Sequence, residues 1–380
     1  MNPKFNPLFQ PYTLNNGVEI KNRLVVAPMT HLASNDDGTL GGQERTFISN
    51  RAGDMGMFIT AATLVHESGK AFYGQPEAVR AEQIPSLKET ADIIKSQGAK
   101  AVLQIHHGGK QAIGELLNGQ DKITASADEA SGTREATDAE VRSLIAAFGN
   151  AADLAIQAGF DGVEIHGANN YLIQQFYSGH SNRRTDEWGG SREKRMRFPL
   201  AVVEAVLAAK AKHGRDDFIV GYRFSPEEPE EAGITMEDTF ALVDALKTRP
   251  LQYLHISLWD FYKKARRGAD TDTYRIQLIH ERIGGKLPLI GVGNLYTPNK
   301  ILEAFNTGWA EFIALGKTVM VNPDIATRII NGDEDGIQRA VDPEQTDRYG
   351  FPDRLWNFTL AGTEAWLPPL KGQEPNLLDL

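Results

Sequence analysis

Short apolar runs of strand length recur along the chain at positions 24–29, 57–63, 101–105, 162–167, 219–225, 252–257, 287–293 and 311–316. They are near-continuous rather than alternating, the pattern of parallel strands covered on both faces. Between most of them the apolar positions repeat with helical period. The clearest case is 138–158, where Val141, Leu144, Ile145, Phe148, Ala152, Leu154 and Ile156 form one face. Thr137 with Glu140 offers a capping box at its start, and Gly159 ends it. Segments 195–212, 235–247, 272–283 and 298–306 repeat the scheme, the last with Pro298 at its first position.

Eight strands alternating with helices predict an α/β fold, a closed (β/α)8 TIM barrel whose chemistry sits on loops at the C-terminal ends of the strands. A doubly wound sheet fits less well, because the first run continues as Ala27-Pro28-Met29-Thr30-His31 and no G-x-G-x-x-G follows it. Ahead of the first run, Tyr12-Thr13-Leu14 and Val18-Glu19-Ile20 flank Asn15-Asn16-Gly17. Asn-Gly supplies positive backbone φ angles, so an N-terminal β-hairpin is expected. Such a barrel needs only about 250 residues. The surplus falls into the N-terminus, the tail after Gly332, and long loops after strands 3 and 4, at 108–136 and 168–195. With no internal repeat, one domain over 1–380 is expected, the barrel occupying about 22–332 and a C-terminal extension 333–380.

Composition narrows the class. The 380 residues include 40 Lys plus Arg and 50 Asp plus Glu, so the formal net charge is 40 − 50 = −10, which argues against a nucleic-acid partner. There is no cysteine, which removes disulfides, thiolate metal sites, Cys-ligated iron–sulfur clusters and thiol nucleophiles together. The first seven residues carry Pro3 and Pro7 and lack the apolar core of a secretory signal, and no run approaches the roughly 20 apolar residues of a membrane span. A soluble, cytoplasmic protein is expected, with no membrane partner and its subunit number left open.

Candidate chemistry gathers at strand ends. His166, Asn169 and Tyr171 follow the fourth run. Histidine and asparagine offer two hydrogen bonds to one carbonyl or phenolate oxygen, and a phenol beside them can deliver a proton. A capped strand end with a packed tyrosine fits the same spacing equally well. After the last two runs stand Gly293-Asn294 and Gly316-Lys317-Thr318, where barrels commonly seat a phosphate; the Walker A reading fails because Glu311 holds the required glycine position. Gln104 and Arg223 are polar residues inside apolar strands, and a buried arginine there wants an anionic partner. Arg223 could instead pair with Glu227 or Glu228, and Gln104 could serve neighbouring loops. His106-His107 are adjacent and so face opposite sides of a strand, Glu164 is a lone carboxylate, and His255 offers nothing for Schiff-base chemistry, so metal, glycosidase and aldolase readings lapse.

These residues resemble the Old Yellow Enzyme family of FMN-dependent ene-reductases over roughly residues 9–330. The motifs are Asn22-Arg23 with Ala27-Pro28-Met29-Thr30, Gln104 with His107-Gly108-Gly109, and Gly162-Val163-Glu164-Ile165-His166 with Asn169 and Tyr171. Asn182 to Ser191 follows, with Arg195 and Phe198. The resemblance implies non-covalent FMN at the barrel mouth and NADPH or NADH as reductant. It implies that Pro28, Met29, Thr30 and Ala62 lie along the flavin, Gln104 and Arg223 at its pyrimidine edge, and Gly293, Asn294, Gly316 and Lys317 at its phosphate. His166 and Asn169 would bind the carbonyl of an activated alkene, or a phenolic ligand, while hydride reaches the β-carbon and Tyr171 protonates the α-carbon. Lys317 departs from the family's arginine, and Lys110, Trp188 and Lys194 from its arginine, tyrosine and asparagine. Two other readings stand beside this one: a flavin-free barrel acting as isomerase or lyase on a phosphorylated metabolite, and a non-catalytic flavoprotein.

Overall fold

The computed structural model of the chain describes residues 1–362 and 364–373; the final seven residues of the expected C-terminal extension, 374–380, lie outside them. All eight apolar runs are strands: β1 (Leu24–Val26), β2 (Met57–Ile59), β3 (Lys100–His106), β4 (Gly162–Gly167), β5 (Ile219–Phe224), β6 (Tyr253–Ile256), β7 (Leu289–Gly291) and β8 (Phe312–Leu315). Each pairs in parallel with its neighbours, and β8 with β1 closes the (β/α)8 barrel.

Side chains alternate along each strand, so one set fills the barrel and the other meets the helices. Inside, Val25, Met57, Val102, Ile219, Ile290 and Phe312 form an apolar floor with Leu14 and Ile20 of the N-terminal hairpin. The hairpin pairs Tyr12–Thr13 with Glu19–Ile20 antiparallel. Its turn differs from the expected Asn-Gly geometry: only Gly17 takes positive φ, at 83°, and Asn15 and Asn16 keep ordinary angles. Those side chains are used instead as anchors, Asn15 Nδ2 donating to the Leu251 carbonyl at 2.7 Å and Asn16 Nδ2 to that of Asp216 at 3.2 Å.

The helix Asp138–Gln157 starts on the expected capping box, the Thr137 hydroxyl accepting from Glu140 N. Pro298–Asn306 matches its prediction residue for residue. The segment 195–212 is two helices, Arg192–Arg195 and Arg197–Lys212, because Ser191 caps an earlier turn. The helix expected from 272 begins three residues later, as Arg275–Ile283. Its displaced start belongs to a third long connection, 257–274, that the sequence pattern did not reveal. No described helix is long and apolar enough to cross a membrane.

Candidate active site

A cavity of 460 Å³ opens at the C-terminal ends of the strands. It gathers Pro28, Met29 and Thr30 after β1, Asn169 and Tyr171 after β4, Arg223 on β5, Gly293 and Asn294 after β7, and Gly316 and Lys317 after β8. Three expected residues do not line it. Ala62 is buried, its carbonyl taken by Gln75. Gln104 lies beneath the cavity, donating to Glu164 Oε1 at 2.7 Å. His166 is 3% exposed and packs against Tyr171, ring centroids 5.1 Å apart.

The strand register explains how these polar groups meet. Gln104, Glu164, Gly221 and Tyr253 lie side by side on β3 to β6, and one step higher His166, Arg223 and His255 do the same. Gly221 is needed here, since a Cβ on it would stand 2.1 Å from the Tyr253 ring. The missing side chain lets Tyr253 reach across β5 and donate to Glu164 Oε2 at 3.0 Å, beside His255 Nδ1 at 2.8 Å. Glu164 is therefore the hub of a buried network. Burial opposes its charge, but His255, Arg223 and Gln104 prevail and hold its pKa below the usual carboxylate value. Arg223 does not pair with Glu227 or Glu228: Glu227 is ion-paired to Arg275 at 2.7 Å, and Glu228 accepts from Gln174 and Ser178.

The carbonyl-binding pair is set for donation. Ala168 N–H bonds to His166 Nδ1 at 3.2 Å, so neutral His166 carries its proton on Nε2. Burial keeps the ring neutral, its pKa well below the ordinary value. The Ser257 hydroxyl donates to Asn169 Oδ1 at 2.7 Å, which leaves the amide NH2 to donate elsewhere. Asn169 and Asn170 hold φ of 56° and 58°, left-handed values that asparagine tolerates. Gln111 pins that turn by bonding both of their carbonyls. Burial raises the Tyr171 pKa far above that of a free phenol, so its proton is held at neutral pH.

At the opposite end, Gly293 takes φ 139°, and a Cβ there would stand 2.4 Å from Phe261 N. Lys317 Nζ donates to the Ala365 carbonyl at 2.8 Å and lies over the Trp259 ring at 5.0 Å. Burial pushes its pKa down to about 8. Trp366, in the C-terminal extension, also lines the cavity. The sequence reading missed Trp259, Tyr296 and Trp366; nothing in local spacing marks a tail tryptophan, whereas Tyr253 and His255 carried the same two-residue spacing as Glu164 and His166.

Three buried donors lining the cavity, Arg223 Nε, Asn294 Nδ2 and Tyr296 OH, have no hydrogen-bond partner among the described residues. Unpaired buried donors are costly, and a ligand rich in acceptors would satisfy them. A phosphate and an electron-poor ring carrying carbonyls fit that donor set, and no described group of His, Asp or Glu could hold a metal ion.

A parallel barrel with such donors at its mouth suits an anionic, acceptor-rich ligand. Residues 7–335 match the model of the NADH:flavin oxidoreductase / NADH oxidase family, and the chain belongs to that family. It is 48% identical over 97% of its length, and 99% of the relative's, to a probable NADH-dependent flavin oxidoreductase of Bacillus subtilis (strain 168). It is 39% identical to an NADH:fumarate oxidoreductase of Klebsiella pneumoniae (strain 342), over 93% of this chain but only 39% of that protein. Among solved structures, morphinone reductase in complex with tetrahydroNAD superposes with a TM-score of 0.75 at 26% identity, covering 91% of this chain and 97% of that one. These relationships place the chain among the Old Yellow Enzymes, with FMN as cofactor and a nicotinamide nucleotide as reductant, and they set aside the flavin-free and non-catalytic readings.

Proposed function

We propose that the protein is an ene-reductase that reduces the activated C=C bond of α,β-unsaturated carbonyl compounds with NADH or NADPH. The observation that carries this reading is the donor character left to His166 and Asn169. Each has its acceptor atom occupied from behind, by Ala168 N–H and by the Ser257 hydroxyl, and so each has only N–H to offer. Two donors next to a protonated phenol suit an oxygen that gains negative charge during reaction.

Bound FMN would supply hydride to the β-carbon after taking it from the nicotinamide nucleotide. The chain does the rest. In this reading His166 Nε2–H and the Asn169 amide bind the carbonyl oxygen and draw charge onto it. Tyr171 gives its proton to the α-carbon. Pro28, Met29 and Thr30 would border the ring site. Gln104, whose NH2 is spent on Glu164, would offer its carbonyl oxygen to the flavin, and Arg223 would offset negative charge on it. Gly293, Asn294, Gly316 and Lys317 would hold the phosphate.

The test is anaerobic turnover of FMN-loaded protein with NADH or NADPH and 2-cyclohexenone, with the organic product identified by gas chromatography. Cyclohexanone formed in proportion to nicotinamide consumed is expected. Nicotinamide oxidation only in the presence of oxygen, with no saturated ketone, would overturn the reading.

A further inference from the structure

His106 is fully buried at the end of β3, and the chemistry above leaves it unused. Its tautomer follows from a chain of hydrogen bonds. Ala71 N–H donates to Gln75 Oε1 at 2.9 Å, which fixes the orientation of that amide. The Gln75 NH2 therefore points the other way, to the Ala62 carbonyl at 2.9 Å and to His106 Nδ1 at 3.1 Å. A ring nitrogen that accepts carries no proton, so neutral His106 is protonated on Nε2. Burial pushes the ring's pKa down to about 3, which keeps it neutral.

That Nε2 is buried and has no hydrogen-bond partner among the described residues. Such a group is rare in a folded protein and calls for a role. Its ring lies against Tyr171, centroids 4.3 Å apart and planes at 83°, with His166 at 5.3 Å and Phe72 at 5.7 Å.

We propose that His106 is a positioning residue for proton transfer, its Nε2–H stabilising the phenolate that remains when Tyr171 has protonated the substrate. The inference rests on the ene-reductase reading. In the step itself the Tyr171 O–H bond breaks, a C–H bond forms at the α-carbon, and the electron pair of the O–H bond stays on the phenol oxygen; water restores the proton before the next turnover. Phenolate charge spreads over the oxygen and the ring, so an N–H on an imidazole packed 4.3 Å from that ring favours phenolate over phenol. The other groups facing Tyr171 are His166 from β4 and Arg223 from β5, with Phe72 from the connection after β2. Both histidines are neutral and Arg223 is the cation, so His106 contributes a dipole where no further charge is available.

Two variants and one spectrum test this. His106→Phe keeps a ring and deletes the N–H, whereas His106→Gln returns an N–H near the Nε2 position. In FMN-loaded enzyme, stopped-flow reoxidation by 2-cyclohexenone should slow by about ten- to a hundredfold in His106→Phe, the range of a hydrogen bond to a charged group. Its solvent deuterium isotope effect should exceed that of wild type, and His106→Gln should recover most of the rate. Equal rates in wild type and His106→Phe, or a His106→Gln as slow as His106→Phe, would overturn the proposal. Independently of turnover, ¹⁵N-imidazole NMR of histidine-labelled wild type should show His106 neutral and protonated on Nε2 from pH 8 down to pH 5. A proton on Nδ1 would refute the proposal even if the variants failed to fold. Wild-type enzyme that does not reduce the enone at all would sink the ene-reductase reading instead.

Discussion

Gln104 donates its amide N–H to Glu164 across 2.7 Å, and that bond decides which end of the amide is left for a ligand. The same carboxylate receives Tyr253 and His255 and lies in the field of Arg223. Removing it would strand a buried cation, which typically costs about 3–5 kcal/mol. Glu164→Ala should therefore lose most of that amount in urea unfolding of the FMN-free protein. A loss under about 1 kcal/mol would mean that water replaces the carboxylate. The pH dependence has a definite sign. Because the folded pKa lies below the unfolded one, the contribution of Glu164 is fully present above the ordinary carboxylate pKa of about 4.3 and disappears as pH falls through the folded value. Acid unfolding of Glu164→Gln should lack that component.

Lys317 gives a second prediction. Its ammonium, with a pKa lowered to about 8 by burial, bonds the Ala365 carbonyl at the end of the cavity that holds Gly293 and Gly316. Lys317→Ala should weaken FMN binding by about 1.5–3 kcal/mol, read from quenching of flavin fluorescence. The wild-type dissociation constant should rise as pH passes 8, because FMN-free protein then loses the charge, while that of the variant stays flat. Equal affinity in the two proteins across that range would place the phosphate elsewhere.

The fold was legible because parallel barrel strands are buried on both faces, and eight uninterrupted apolar runs leave few other architectures. The helix Ile84–Ser96 carries the same signals, with Leu87, Ala91 and Ile94 on one face and Pro85 in its first turn, yet is not among the predicted helical segments. Legibility failed where contacts are long-range. Trp366 reaches the cavity because the tail folds back and pairs Leu370 with Val341, which no local pattern encodes. Of the site, His166, Asn169 and Tyr171 could be named from spacing and resemblance. The role of Glu164 could not, because its partners sit on β3 and β6 and meet only through the register around Gly221. His106 was dismissed as a metal ligand for a sound reason, its opposition to His107, and that same alternation is what turns it toward Tyr171.

Phenols offer a third test. If His166 and Asn169 converge on one oxygen, p-hydroxybenzaldehyde should bind the oxidised FMN-loaded protein as its phenolate and give a long-wavelength charge-transfer band. His166→Ala should abolish the band. Ser257→Ala, which frees Asn169 Oδ1 and lets the amide turn, should weaken phenol binding by about 0.5–1.5 kcal/mol, the net worth of one neutral hydrogen bond. A band that survives in His166→Ala would move the oxyanion site away from β4.

The last prediction separates the two half-reactions through Tyr171. Its half-buried phenol packs against His106 and His166, and the raised pKa keeps the proton in place until a strong carbon base draws it off. Reduction of FMN by a nicotinamide nucleotide needs no proton from that phenol. Reduction of 2-cyclohexenone does, because the α-carbon must be protonated as hydride arrives at the β-carbon. Tyr171→Phe preserves the ring's contacts with both histidines while deleting the acid. FMN reduction should therefore stay near the wild-type rate, and enone reduction should fall by about 10²- to 10⁴-fold, the usual contribution of a positioned general acid. Stopped-flow traces of the two steps give the answer in one experiment. An unaffected enone step would assign the proton to water or another side chain and leave Tyr171 as packing. A parallel fall in both steps would mean that the hydroxyl organises the whole cavity, contrary to the division of labour argued from its position.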